Sequence, residues 1–561
     1  MKRLLSITLA LALLLSLTGC LLQPDSSTTP TATVPTTEPG TTTNPGPLMD
    51  NTGKYYLDET TSEAIVGDCG TVTTANDGNA RVYYQIFVGS FSDSNGDGIG
   101  DLRGIINRMD YLNDGDDTNG MSLGVEGIWL SPIFTSPSYH KYDCSDYYEI
   151  DPKFGTMEDL KELVDLCHQR GVQIILDLVV NHTATNHPWF KEFKSAHQNF
   201  DVDSKYYNFY SFSDTAETGY HDLGTGKYYE GHFSGEMPEL NYDNPDVRQA
   251  MVDVAKYYLD LGVDGFRFDA AKYIYYGDEP RNAEFWIWYM QELRNIKPDI
   301  YTVAEVWDGD AATYPYFAST NCFNFSMSQV SGRVAEAAKG SNVNAYVNYI
   351  ANYLQQIRAQ KADAMLCSFI TNHDMDRAAG FLTTGSGHAQ MAANLSILTP
   401  GSPFIYYGEE IGMLGSRGGA NTDANRRLAM LWGDGDTVKN PTGSTYKAAQ
   451  ANGTVAEQIA KGDSLYTHYK RLIQIRKANP EIAYGEFTPL QLPGKTGGFL
   501  STWNGKTVAV IHNTTTDAVT IDLSAIEGVS FDTLATIAGL GGAKLEGTQL
   551  TIDAQTSVVL R

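Results

Sequence analysis

The sequence predicts an α/β protein: a (β/α)8 barrel with a subdomain inserted after strand 3 and a C-terminal antiparallel β-domain. Three observations lead there. From residue 81 onward, short runs rich in Val, Ile, Tyr, Phe and Leu alternate with amphipathic helical stretches, the pattern of a parallel sheet covered by helices. Eight such runs suit one closed barrel better than an open doubly wound sheet. From about residue 481 the helical period stops and segments of alternating polarity follow, punctuated by Gly and Asn.

Before the barrel stand two segments that belong to no fold. Residues 1–20, "MKRLLSITLALALLLSLTGC", place Lys2 and Arg3 ahead of an apolar stretch too short to span a bilayer comfortably, which marks an export signal. The ending "LTGC" resembles the bacterial lipobox, in which Cys20 becomes the lipidated first residue. Residues 21–48 are rich in Thr and Pro and nearly free of large apolar side chains. They cannot bury enough surface to offset the entropy of ordering and are expected to form an extended tether. The chain is therefore expected to be exported and anchored at the cell surface or envelope.

A formal net charge of -27 argues against nucleic acid or an anionic membrane surface as partner, leaving the lipid anchor as the expected membrane contact and a monomer as the expected state. Five cysteines follow Cys20, at 69, 144, 167, 322 and 367, too scattered for a disulfide framework or a zinc pattern. Most are expected to be buried thiols.

The barrel strands are expected in "RVYYQIFV" from 81, "VEGIWLS" from 125, "VQIILDLVV" from 172, "VDGFRFD" from 263, "IYTVAE" from 300, "CFNFSM" from 322, "AMLCSFIT" from 364 and "PFIYYGE" from 403. Between the second and third, "TMEDLKELVDLCHQRG" is a helix: Leu160, Leu163, Val164 and Cys167 form one apolar face, Thr156 caps with Asp159, and Gly171 ends it. The interval 182–245 is too long for one helix and rich in Tyr, Gly, Asn and His, which predicts the inserted subdomain on the functional side of the barrel. The barrel thus occupies 49–181 and 246–480. In 481–561, "TVAVIHNT", "AVTIDLS" and "SVVLR" read as strands of a small sandwich or Greek key.

Polar residues at the C-terminal ends of barrel strands converge on one face. Asp177, Asn181 and His182 close the third strand, Arg267 and Asp269 the fourth, Glu305 the fifth, and His373 and Asp374 the seventh. Paired carboxylates, without a serine-nucleophile motif or zinc-ligand spacing, point to glycoside hydrolysis, in which one acid protonates the leaving oxygen and the other attacks or activates water. A third carboxylate can bind sugar hydroxyls and raise the acid's pKa by like-charge repulsion. The loop "DSNGDGIGD" sets Asp93, Asn95, Asp97 and Asp101 at alternating positions among tight glycines, as hard oxygen ligands are gathered for Ca2+. The twelfth position counted from Asp93 is Gly104, so this is not an EF-hand loop.

These segments resemble those of the α-amylase family of retaining glycoside hydrolases: "DLVVNH" (177–182), "GFRFDAAKY" (265–273), "AEVW" (304–307) and "TNHD" (371–374), in the family's order. "MPELN" (237–241) resembles the family's short motif in groups intermediate between α-amylases and oligo-1,6-glucosidases, with Glu239 where Asp is commoner. The resemblance implies Asp269 as nucleophile, Glu305 as general acid/base and Asp374 as stabiliser. It further implies His140, Tyr142, Asp177, His182, Arg267, Lys272, His373 and Arg377 as substrate-side residues, with Tyr142 stacking on a sugar ring. It implies that the backbone oxygen of Ile99 joins the loop's calcium ligands, and that Asn181 binds a second calcium between barrel and subdomain. The implied substrate is an α-glucan polysaccharide or oligosaccharide. The leading expectation is an extracellular α-amylase; the alternatives are a maltogenic, cyclodextrin- or pullulan-cleaving hydrolase, an α-glucosidase or a transglycosylase, and, in another class, a non-catalytic glucan-binding protein. Tyr273 departs from the family pattern, which usually has lysine-histidine after "DAA".

Overall fold

The computed structural model describes residues 78–561 apart from 117–121, 419–421, 527–529 and 532. The export signal, Cys20, the tether and Cys69 lie outside the described residues. Strands Tyr83–Ile86, Gly127–Leu130, Gln173–Leu178, Gly265–Phe268, Tyr301–Ala304 and Asn321–Cys322 pair in parallel, in sequence order, and Phe404–Tyr406 pairs back onto Tyr83–Ile86. Between Asn321–Cys322 and Phe404–Tyr406 the ring is closed by residues 364–371, through the parallel bridges Phe323–Cys367 and Phe369–Phe404.

The sixth and seventh strands are less regular than their sequences predict. The sixth stops after Cys322 because the Asn324 carboxamide accepts the Met327 amide and caps a 3-10 turn, Phe325–Met327. In the seventh, the Met365 amide donates to the Asn321 side chain rather than to a neighbouring strand carbonyl. The bonds from Asn324 N to Cys367 O and from Phe404 N to Ser368 O still hold it in the wall.

Period-two alternation decides what lies inside the barrel. Val82, Tyr84 and Ile86 face the helices, as do Ile128, Leu130, Ile174, Leu176, Phe266 and Phe268. Tyr83, Trp129, Ile175, Tyr301, Val303 and Phe404 form a separate inner cluster, with the Tyr83 ring stacked on Tyr301 at 4.7 Å and on Phe404 at 4.8 Å. One step further along the same inward face come Gln85, Asp177 and Arg267, all buried. Aromatic rings thus floor the barrel and polar groups occupy the layer above.

Helix Met157–Gln169 forms as its sequence predicts, with a complete Thr156/Asp159 capping box and Leu160, Leu163, Val164 and Cys167 buried. After the third strand the chain leaves the barrel to form helix Pro188–Gln198 and a sheet of Phe212–Ser213, Tyr228–Glu230 and Tyr220–Asp222, and returns as helix Pro245–Asp260. The C-terminal region holds a five-stranded and a three-stranded antiparallel sheet over their own apolar core. Cys144, Cys167, Cys322 and Cys367 are free and buried, as expected. Among the described residues no helix is long and apolar enough to cross a membrane.

Gly265 opens the fourth strand, and a Cβ there would lie 1.7 Å from the Tyr301 carbonyl oxygen. Gly265→Ala must therefore push the fourth and fifth strands apart, two residues before Arg267. Scanning calorimetry is expected to show a destabilisation of about 1–3 kcal/mol, the usual cost of overpacking. An unchanged melting temperature would refute this account of the strand contact.

Candidate active site

Arg267 organises the polar layer. It is 1% exposed, and its NH1 donates to Asp177 Oδ1 and to Asp269 Oδ1, each at 2.7 Å. NH2 lies 3.3 Å from Glu305 Oε2. The parallel register sets Asp177 directly beside Arg267. The other Asp177 oxygen accepts from Trp129 Nε1 at 3.2 Å and from the Tyr142 hydroxyl at 3.0 Å. Just past the fourth strand, Ala270 takes a left-handed conformation, φ 49°, and its amide donates to Glu305 Oε2 at 3.1 Å. A non-glycine residue in that region stores strain, which functional sites often do.

Three carboxylates around one guanidinium leave an excess of negative charge. Burial pushes Asp269 and Glu305 above the ordinary carboxylate range, with Arg267 opposing the shift at both. The charge of Asp269 adds to the rise at Glu305. Asp269 also makes the closer contact with Arg267, so Glu305 is the less compensated of the two carboxyls. Burial pushes Asp177 up to about 7, again against Arg267.

Asp374 faces this group across one hollow of about 690 Å³, which His140, Tyr142 and His182 also line. Its Oδ1 accepts from Arg427 NH2 at 2.6 Å and its Oδ2 lies 3.0 Å from His373 Nε2. Burial pushes the Asp374 carboxyl up, but His373 and Arg427 more than reverse it, so it sits well below the carboxylate range. His373 is fixed by Gln85 at 2.7 Å and by the Tyr142 hydroxyl at 2.6 Å, with the Tyr142 and His373 rings 5.3 Å apart and nearly parallel. Burial lowers His140 and His182 to about 4, so both imidazoles are neutral near pH 7.

The other sequence-predicted residues stand further back. Asp177 is behind the pocket, beneath Arg267 and Tyr142. Lys272 is tied to the Trp307 carbonyl and to Asp308 Oδ2, each at 3.0 Å. Arg377 is buried and donates to the backbone carbonyls of Arg426 and Tyr407. It borders a second hollow of about 830 Å³ that shares Trp307, Asp374 and Asp423 with the first. Tyr273 does line the first hollow, with Phe233 packed against it edge-on at 4.7 Å.

Sequence reasoning missed Arg427, Tyr139 and the exposed rings of Trp307 and Phe233. Arg427 follows a 3-10 turn, Asp423–Arg426, in the loop after the last strand. Strand patterning does not reach that loop, and the paired arginines of "ANRRL" were its only mark.

The loop 93–101 folds on its own side chains. Asp93 accepts the amides of Asn95, Gly96 and Gly98, Asn95 accepts that of Asp97, and Asp97 that of Ile99. Asp101 caps helix Leu102–Asn107 by accepting from Gly104. Among the described residues no lysine or arginine pairs with Asp93, Asp97 or Asp101. Uncompensated carboxylates and a carboxamide on one short loop suit Ca2+ in donor chemistry. At the end of the third strand Asn181 is 1% exposed, and its Oδ1 has no hydrogen-bond partner.

With this geometry in hand, similarity to known proteins is informative. The family described as alpha amylase, catalytic domain, matches residues 85–485. Alpha-amylase 3 of Dictyoglomus thermophilum is 37% identical over 402 residues, covering 70% of this chain and 76% of that protein. The structure of Eubacterium rectale Amy13B superposes with a TM-score of 0.81 at 33% identity, covering 88% of this chain and 96% of that one. The structure of an alpha-amylase from H. orenii superposes with a TM-score of 0.75 at 36% identity, covering 86% and 99%.

Replacing Arg267 by Met should expose how much the layer depends on that cation. Removing one partner of a buried ion pair costs about 3–5 kcal/mol because the remaining charges lose their compensation. The orphaned carboxyls would then have folded pKa values above their unfolded ones. The penalty is present in full above the folded values and disappears below the unfolded ones. Chemical unfolding of Arg267→Met and the parent chain from pH 7 to pH 4 should therefore show the gap between them narrowing as pH falls. A gap independent of pH would refute the charge argument.

Proposed function

The chain belongs to the α-amylase family of glycoside hydrolases, and on that premise we propose that it is a retaining, endo-acting hydrolase of α-1,4-glucosidic bonds in starch-like glucans. One observation carries the reading: Asp269 and Glu305 contact NH1 and NH2 of the same guanidinium, and Asp374 faces them across one hollow. Retaining hydrolysis requires two carboxyls about 5–5.5 Å apart, and a shared guanidinium accords with such closeness.

In this reading Asp269 attacks the anomeric carbon while Glu305 gives its proton to the glycosidic oxygen, so the leaving chain departs with a new hydroxyl. Glu305, now a carboxylate, takes a proton from water. The water oxygen bonds to the same carbon, the sugar–Asp269 bond breaks, and Glu305 is reprotonated for the next cycle. Asp374, kept ionised by His373 and Arg427, accepts hydrogen bonds from sugar hydroxyls, and the Tyr142 ring offers a stacking face. The two hollows meet at Trp307, Asp374 and Asp423, forming a groove past the reacting bond that suits a long chain. The loop 93–101 would hold a structural Ca2+ through Asp93, Asn95, Asp97, Asp101 and the Ile99 carbonyl. The N-terminal segments support export, lipidation at Cys20 and action at the cell surface as a monomer.

Product profiling on amylose, pullulan and cyclodextrin tests the reading. Mixed maltooligosaccharides from amylose, with little action on the other two, are expected. Glucose or maltose alone would overturn the endo assignment, and products longer than the substrate would indicate transfer. Asp269→Ala should abolish hydrolysis while glucan binding persists.

The pH profile follows from the proton positions. Activity falls on the acid side as Asp269 takes up a proton and on the alkaline side as Glu305 loses one, with both limbs above the ordinary carboxylate range because both groups are shifted upward. On a maltoside with an activated aryl leaving group, Glu305→Gln should retain much of kcat/KM, which reports the first step, accumulate the glycosyl intermediate because water has lost its base, and lose the alkaline limb of kcat/KM. Persistence of that limb would reassign the acid.

Calcium is expected to raise the thermal stability of chelator-treated protein, by about 2.7 kcal/mol at a hundredfold excess over Kd. Asp97→Ala should show no response at a calcium concentration that saturates the parent chain. Asp97 is exposed and accepts one backbone amide, so this variant tests the ion site with little disturbance elsewhere.

A further inference from the structure

The inserted subdomain carries a second set of metal-ligating side chains that the sugar chemistry does not use. Glu230 ends the strand Tyr228–Glu230, His232 follows two residues later, and Glu239 lies near the return to the barrel. Nδ1 of His232 is 3.3 Å from Oε1 of Glu230 and 3.3 Å from Oε1 of Glu239. These separations are long for a charge-assisted hydrogen bond, about 2.7–2.9 Å. They match the edge of a tetrahedron whose centre lies about 2.0–2.2 Å from nitrogen and oxygen ligands, the geometry of zinc sites. One ligand atom from each residue falls within 4.8 Å of the others.

The imidazole is held in place from several sides. Tyr276, from the loop after the fourth barrel strand, stacks on it at 3.6 Å and 17°. Gly219, at φ 83°, leaves no room for a side chain, since a Cβ there would sit 2.5 Å from the His232 ring. The His232 amide donates to Glu239 Oε1 at 2.7 Å. Beside Glu239 lies the buried Asn181 carboxamide, whose Oδ1 has no hydrogen-bond partner among the described residues.

The family resemblance puts a second calcium at Asn181, and the residues present do not fit that ion. Calcium takes six to eight oxygen ligands, whereas imidazole nitrogen favours zinc and its neighbours. We propose that Glu230, His232, Glu239 and Asn181 form a structural site for a divalent ion of the zinc class, pinning the subdomain to the barrel. Phe233, next to His232, packs against His182 at 5.4 Å and against Tyr273, so the ion would also steady one wall of the cleft.

The test is titration of the chelator-stripped full chain with ZnCl2 and with CaCl2 by calorimetry, alongside visible spectra with CoCl2. The parent chain and Asp97→Ala should each bind one equivalent of Zn2+ that equimolar Ca2+ does not displace, and Co2+ should give tetrahedral visible bands. His232→Gln should lose that equivalent and those bands. No Zn2+ uptake by the parent chain, equal uptake by folded His232→Gln, or displacement by equimolar Ca2+ would overturn the proposal. The parent titration decides the matter even if the variant does not fold.

Discussion

The buried contact between Arg267 and three carboxylates is the constraint on which the rest of the site depends. One guanidinium pairs with Asp177 and Asp269 and reaches Glu305 less closely. Placing four ionisable groups in a layer shut off from bulk water is costly unless each finds partners. The partners are arranged accordingly: Trp129 and Tyr142 donate to Asp177, and the Ala270 amide donates to Glu305. The network leaves Glu305 less compensated than Asp269, as the proposed proton donor requires. Asp374 has an opposite environment, with an arginine and a histidine beside it and no need of a proton. Two kinds of carboxylate therefore coexist around one hollow because Arg427 pairs with Asp374, with His373 beside it, while Arg267 is divided among three carboxyls.

Alternation along the strands explains why so much of this was legible in the sequence. A residue two places beyond an inward-facing one also faces inward. Asp177 stands so to Ile175 and Gln85 to Tyr83, while Arg267 shares the inward face with Gly265. Short segments at strand ends carry both register and chemistry, so a reading confined to strands recovers Asp269, Glu305, His373 and Asp374. Loop residues escape it. Arg427 reaches Asp374 from a turn with no periodicity, and the position of Lys272 depends on where Trp307 and Asp308 happen to lie. The irregular seventh strand was equally hidden, because its pairing is decided by the side chains of Asn321 and Asn324 rather than by its own pattern.

The same difference separates the two proposed ion sites. In the loop 93–101 every donor lies within nine consecutive residues, so spacing alone exposes the set. At the subdomain junction the proposed donors lie just past the third strand, at and just beyond the end of a short strand and in the return segment, and only folding assembles them. His232 occurs in a stretch rich in Tyr and Gly where a lone histidine has no meaning by itself. Its role depends on two glutamates placed on either side and on a tyrosine ring above.

Together these features suggest a division of labour along the cleft. The reacting centre is built on strand ends, where the backbone is fixed by parallel pairing and a shift of a fraction of an ångström would be felt by every member of the charge network. The walls of the hollow are built on loops: Phe233 from the subdomain, Tyr273 from the turn after the fourth strand and Trp307 from the turn after the fifth, the first and last 47% and 41% exposed. Such walls can vary in sequence without disturbing the charges beneath them. Where the family pattern changes, at Tyr273, the structure shows an aromatic surface continuous with Phe233 rather than a gap. In the proposed reading, specificity for the leaving side of the chain would rest on these ring faces, and the rigidity of the subdomain that carries Phe233 would become part of the recognition of substrate.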